Sequence, residues 1–259
     1  MLVWLPIGAA AAPTTPLPAN PPSSTAELAH LAEQAYRAAQ ERLAGFPENS
    51  TAAWQFARAS FDWAEFSTNS QQRAAIAGEG IAAGRRAVKR EPHSAAAHYY
   101  LALNLGQLAR TRSLGALPLV DEMESRFLTA WNLDPAFDHA GADRCLGLLY
   151  RDAPGWPASV GSRSKARKHL LRAISLSPNY PENRLNQIES LLQWGDEAAA
   201  RREIPAFVEL LPKARDELSG ETWTSSWADW DARWQVIRTR LKLDAPTPPV
   251  GSASTRRPP

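Results

Sequence analysis

Four prolines set the frame of this chain. Pro92, Pro135, Pro178 and Pro212 follow the helix-like segments Arg90-Glu91, Leu133-Asp134, Leu176-Ser177 and Leu210-Leu211, and they stand 43, 43 and 34 residues apart. A proline has no N–H, and its ring crowds the carbonyl four residues back, so one recurring behind apolar helical stretches punctuates a repeated unit. Pro47, 45 residues before Pro92, suggests one more unit upstream. A spacing of 34 is the length of one helical hairpin. Such hairpins cannot bury their apolar faces alone, and they stack into an array with a surface for a partner or ligand. Binding rather than chemistry is the first expectation.

Ala, Leu, Arg and Glu dominate between residues 25 and 243, and strand-like alternation of Val, Ile and Thr is absent. The expected fold is therefore all-α: a tetratricopeptide-like helical-hairpin solenoid with a C-terminal capping helix. The 29 basic and 27 acidic side chains nearly cancel, which gives no electrostatic case for nucleic acid or an anionic membrane. Cys145 is the single cysteine, in the apolar run Cys145-Leu146-Gly147-Leu148-Leu149, where it reads as a buried structural thiol.

Residues 1–12 hold the apolar block Leu2-Val3-Trp4-Leu5-Pro6-Ile7 before Gly8 and four alanines. This reads as the remnant of a signal peptide, and so as export to the periplasm, although no Lys or Arg precedes it; a disordered leader is the alternative. The block is too short to span a membrane, and nothing downstream is long and apolar enough. Residues 13–25 are rich in Pro, Ser and Thr and read as a linker, 26–243 as the helical domain, and 244–259 as a disordered tail.

Within the helical domain, a first helix is expected over 26–43. Helical pairs follow over 54–66 and 72–89, 95–110 and 119–133, 139–150 and 165–176, and 182–193 and 197–211. After Pro212 a last helix, reaching to about Leu243, carries Trp223, Trp227, Trp230 and Trp234 on one face; it reads as a cover over the open end of the last repeat, with a partner-docking or membrane-surface stripe as the alternative. The intervals that exceed 34 place their additional residues between the two helices of a pair, so the connectors emerge at one edge of the stack. The third, Pro154-Gly155-Trp156-Pro157, is stiff and carries a large aromatic.

Alignment of each pair on its preceding proline turns certain side chains of the first helices toward the concave face. These are Trp54, Arg58 and Phe61; Tyr99, Leu103 and Gln107; Leu146 and Tyr150; and Leu185, Glu189 and Gln193. With Arg151 and Trp156 at the third connector, they form a candidate groove for a small apolar ligand or an extended peptide; filling space between helices is the competing role. Arg163, Lys165, Arg167, Lys168 and Arg172 make a basic run that is either a solvated face or a dock for an acidic partner.

Two stretches go beyond the repeat signal: His98-Tyr99-Tyr100-Leu101-Ala102-Leu103-Asn104-Leu105-Gly106-Gln107, and Leu146-Gly147-Leu148-Leu149-Tyr150-Arg151-Asp152-Ala153-Pro154-Gly155-Trp156-Pro157. Together with Gly161-Ser162, Lys165-Ala166, His169-Leu170 and Tyr180-Pro181-Glu182-Asn183, they make residues 50–212 resemble the TRAP-transporter-associated T component (TatT) family. A weaker likeness, in the Tyr-Tyr-Leu-Ala-Leu region, is to the eukaryotic regulators of microtubule dynamics. The TatT resemblance implies a tetratricopeptide-like protein of the bacterial envelope. Its partner would be the periplasmic solute-binding protein of a tripartite ATP-independent transporter, and it would hold a small, hydrophobic ligand. The chain departs from lipoprotein members of that family in having no cysteine near residue 12.

No catalytic constellation or cofactor motif is legible. The chain has no Gly-rich phosphate loop, no His-Glu-x-x-His helix and no Gly-x-Ser-x-Gly elbow, so the reading is of a non-enzyme with no cofactor. His139 and Asp143 stand four apart, as two metal ligands would, but together with Asp138 they also make a helix start with its cap, and no metal is assigned.

Overall fold

The computed structural model describes residues 25–112 and 115–243. Ten α-helices follow in order among them: α1 Thr25–Gly45, α2 Ser50–Glu65, α3 Ser70–Arg90, α4 Ala95–Ala109, α5 Leu117–Leu133, α6 Phe137–Asp152, α7 Arg163–Leu176, α8 Pro181–Gln193, α9 Glu197–Glu217 and α10 Thr224–Arg240. The described residues contain no strand, and the order is that of an all-α solenoid of stacked hairpins. The expectations for residues 1–24 and 244–259 lie outside the described residues.

Side-chain caps fix five of the helix starts. Asn49, Asn69, Ser94, Ser162 and Asp196 each accept a hydrogen bond from the backbone N–H three residues on, satisfying a donor that the first turn leaves open. Hairpins α2–α3, α4–α5, α6–α7 and α8–α9 then pack side by side. Helix α4 is buried along its whole middle, from Ala97 to Gln107, with α2, α3 and α5 packed around it. Asn104 reaches from it to donate to the Ala57 and Tyr100 carbonyls (2.7 and 2.8 Å). Gly80 on α3 permits that approach, because a Cβ there would sit 2.2 Å from the Asn104 Oδ1.

The end of the array differs from expectation in one respect. Pro212 does not close the last paired helix: α9 runs on to Glu217 with both Pro205 and Pro212 inside it. The two prolines are seven residues apart, hence on one face, and both are exposed. The carbonyls they leave without an intrahelical donor are thus open to water, which lowers the penalty that would stop a buried helix. A single 3₁₀ turn, Glu221–Trp223, leads into α10, which covers the open end. Trp230 is fully buried and meets Tyr180, Trp223 and Trp227 ring against ring, and Trp234 packs on Phe207.

The apolar interior falls into two clusters. One spans α1 to α7 and includes Phe56, Tyr99, Leu105, Phe127 and Leu149; the other joins α8, α9 and α10 through Tyr180, Ile188, Phe207 and Trp230. Trp194, in the α8–α9 turn, touches both.

Candidate functional site

At the seam between the two clusters, polar groups take over. Arg144, fully buried on α6, is the hub. Its guanidinium donates to the Asp138 carboxylate (2.9 Å), to the Asp138 and His139 carbonyls and to Asn183 Oδ1, and it lies 3.6 Å from Glu182 on α8. Tyr99 of α4 donates to the same Asp138 carboxylate at 2.6 Å. Asn183 closes the joint by donating to the His139, Ala173 and Ser177 carbonyls. Beyond Glu182, Arg233 of α10 pairs with Glu189 (2.7 Å) and Asp229 (3.3 Å) and lies 3.9 Å from Glu182. Charges therefore alternate from α6 through α8 to α10, each sign countered by the next. Buried ions are tolerated only under that condition.

Burial pushes the Asp138 carboxyl up against the opposing pull of Arg144 and the Tyr99 hydroxyl. It also holds the neighbouring Cys145 thiol unreactive, pushed up to about 12.

The hub also holds an unusual backbone. Asp138, His139 and Ala140 all have positive φ (51°, 55° and 64°), a left-handed turn of three non-glycine residues at the head of α6. Left-handed backbone is disfavoured by roughly 1–2 kcal/mol per residue, and Arg144 and Asn183 offset this by binding the carbonyls of that turn. The turn lays the His139 ring flat on Tyr180 (4.3 Å, 1° between planes) with Trp223 at its edge. His139, Ser177, Pro178, Asn179, Tyr180, Glu217 and Leu218 line a cleft of about 190 Å³ there. Burial and the nearby Arg144 lower the His139 pKa, which favours the neutral ring.

Asp143 leaves its i,i+4 neighbour entirely. It is buried between Trp131 Nε1 (3.0 Å), His169 Nδ1 (2.7 Å) and Arg172 (3.3 Å), so it ties α5, α6 and α7 together while His139 faces α8.

The residues expected on a concave groove divide into two sets. Phe61, Tyr99, Leu103, Leu146 and Leu185 are buried between helices, where they fill space instead of forming an open wall. Gln107 and Tyr150 are buried too, and both are engaged: Gln107 with Glu65 and Arg73, and Tyr150 with Glu124 (2.6 Å). Arg151 binds Asp152 and Ser190, Glu189 binds Arg233, and Gln193, exposed, donates to Asp152. Trp54 stacks on Tyr100 at 5.8 Å, and Arg58 lies 3.7 Å from Asp62. Sequence reasoning missed Asp138, Arg144 and Glu182 as one unit. The available signal was Asp143-Arg144 standing inside an otherwise apolar stretch, residues 140–149, where charges persist only with buried partners.

Burial raises the Asp62 carboxyl to about 6 despite the pull of Arg58, although a third of its side chain stays open and part of the effect is screened. A carboxyl whose folded pKa lies above its unfolded value stabilises the fold below about pH 4, and that contribution is lost as pH rises through 6. Asp62→Asn is expected to raise the unfolding free energy at pH 7.5 by about 1 kcal/mol and to leave it unchanged at pH 4, as read from urea titrations at the two pH values. An equal effect at both would show that Asp62 acts through hydrogen bonding and not through its charge.

The connectors converge on one edge. Glu65, Arg73, Gln107 and Arg110 join α2, α3 and the end of α4; Glu124 on α5 binds both Tyr150 and Lys165; and the ends of α6 and α8 meet through Asp152 and Gln193. The segment Ala153–Ser162 folds into a compact loop on this edge. Gly161 donates to the Pro154 carbonyl (2.8 Å), Ser162 to the Tyr150 carbonyl (2.8 Å) and Ser159 to the Gly155 carbonyl (3.3 Å). Gly161 is required, since a Cβ would lie 2.1 Å from the Ala153 carbonyl oxygen. On this pinned loop Trp156 is 89% exposed, the most open of the large apolar side chains among the described residues.

The model of the regulators of microtubule dynamics proteins 1–3 matches residues 22–116, the region of the Tyr-Tyr-Leu-Ala-Leu likeness. No curated protein matches the chain. Among solved structures, it is similar to a thermophilic tetratricopeptide-repeat protein of Thermus thermophilus, at 19% identity over 83% of this chain and 100% of the other, with a TM-score of 0.57. It is also similar to MamA, at 17% identity over 71% and 91% of the two chains, with a TM-score of 0.50. The fold is that of a tetratricopeptide-repeat solenoid. The TatT resemblance finds no counterpart in these matches.

Proposed function

We propose that this chain is a non-enzymatic scaffold that docks a partner protein on the connector edge of its solenoid, with Trp156 as the anchor. The observation that carries this reading is the exposure of Trp156 on a loop whose backbone is bonded closed. A loop whose backbone is already ordered spares binding that part of the entropy cost, and tryptophan is prominent among the residues that dominate protein interfaces. The inner face supports the same choice, because its expected aromatic and apolar residues are largely committed to the core.

The resemblance to the TatT family favours one kind of partner, the periplasmic solute-binding protein of a TRAP-type transporter, for an exported chain. Its ligand-holding half has the His139–Tyr180 cleft to draw on, where Leu218 and Pro178 supply apolar wall. A photo-crosslinking amino acid at position 156, with Val208 on the exposed side of α9 as the control site, tests both levels in the cells that make the protein. A defined adduct from 156 and none from 208 is expected. If that adduct is a solute-binding protein, the transport reading gains; if it is another protein, only the scaffold stands. No adduct, or the same adducts from both sites, overturns the scaffold reading. A small apolar molecule seen in native mass spectra of the purified chain, lost on Leu218→Glu, would support the ligand.

A further inference from the structure

The loop that carries Trp156 ends on Ser162, the cap of α7, and among the described helices α7 is the most one-sided in charge. Its sequence, RSKARKHLLRAISL, holds five Lys or Arg and no Asp or Glu. Four of those cations lie over aromatic rings of neighbouring elements: Lys165 over Tyr150 (4.8 Å), Arg172 over Trp131 (4.6 Å), and Arg163 and Arg167 over Trp194 (5.0 and 5.8 Å). Only two other cation–ring contacts occur among the described residues, so this arrangement belongs to α7. A ring under a cation restrains a long side chain without neutralising its charge. Lys165, Arg167 and Arg172 nevertheless remain about half exposed. Between the two seated rows, Lys168 and Leu171 are exposed, Leu171 at 47%.

We propose that the outer face of α7, with Trp156 at its leading edge, is the docking surface for an acidic segment of a partner protein; this rests on the rim-docking reading above. Charge complementarity selects the occupant. Of the five cations, three have a carboxylate of this chain within 4 Å, Glu124, Asp196 and Asp143, which leaves a small positive excess spread along one helix. That suits a short segment with a few carboxylates and an apolar residue or two for Trp156 and Leu171. A nucleic acid or anionic membrane calls for a larger cationic field than this nearly neutral chain provides.

The test is selection from a displayed library of random sixteen-residue peptides against the full chain, followed by fluorescence-polarisation titration of the enriched peptides. Carboxylate-rich peptides containing at least one large apolar residue are expected. Their affinity should fall about thirtyfold on Trp156→Ala, about tenfold on Lys168→Glu, and further as salt rises. Both positions are exposed, and unchanged circular-dichroism melts will show that the variants fold. If binding falls with Trp156→Ala but not with Lys168→Glu, or if the enriched peptides are uncharged or basic, the acidic-segment proposal is overturned and rim docking survives. Indifference to both variants sinks the two together. Failure to enrich any peptide counts against the proposal, as does tighter binding to phosphatidylcholine vesicles containing about 30% phosphatidylserine.

Discussion

Replacing Arg144 by methionine is expected to lower the unfolding free energy by about 3–5 kcal/mol, because it strips the buried Asp138 of its counter-charge and leaves Glu182 only Arg233, at 3.9 Å. For a chain of this size that is a drop of roughly 6–20 °C in the melting temperature. The loss has two components. One is electrostatic; the other is release of the Asp138 and His139 carbonyls that hold the left-handed turn. They separate in the triple variant Arg144→Met, Asp138→Asn, Glu182→Gln, which removes the stranded charges but not the orphaned carbonyls. Recovery of most of the loss in urea titrations would assign it to charge. No recovery would assign it to the turn, and the His139–Tyr180 stack should then also be lost, a change visible in the His139 ring shifts by NMR.

The second large effect is at the other end of the array. Trp230→Ala should cost about 3–5 kcal/mol, since it removes a fully buried indole from between Tyr180, Trp223 and Trp227. In a stacked array, stability is close to a sum of units and the interfaces between neighbours. Hydrogen exchange in this variant should therefore accelerate in α8, α9 and α10 well before it does in α3 and α4. Uniform acceleration would contradict a cap that acts on its immediate neighbours.

How far the sequence could be read follows from which forces are local. Helix boundaries were legible because caps and turns are written in adjacent residues: Asn49, Asn69, Ser94 and Asp196 mark starts within a few positions of those expected. The tryptophan face of the last helix was legible because its period is helical and a terminal repeat needs a cover whatever else it does. Pro212 misled because proline stops a helix only where the freed carbonyl is buried or the ring clashes, and its solvent-facing position two turns from Pro205 removes the first of these. The inner face misled for a different reason. Register relative to each proline identifies which side a residue is on, but not how deeply the neighbouring helices cover it, so Tyr99, Leu103, Leu146 and Leu185 shared a face with the exposed Gln193 yet lie in the core. The hub was least legible, because Tyr99, Asp138, Arg144 and Glu182 come from three helices and nothing near any one of them in sequence names the others.

The hydrogen bonds that tie one repeat to the next share a quantity with consequences for folding. Tyr99 to Asp138, Arg144 to Asn183, Arg151 to Ser190, Gln107 to Glu65, Arg233 to Glu189 and Asn104 to Ala57 connect residues 39, 39, 39, 42, 44 and 47 positions apart. None of these bonds reaches past the adjacent repeat. The loop to be closed in adding a repeat thus stays between 39 and 47 residues wherever growth begins, and its entropy does not rise with the size of the chain. Such a chain can nucleate at any hairpin pair and extend in both directions as a zipper, one neighbour at a time.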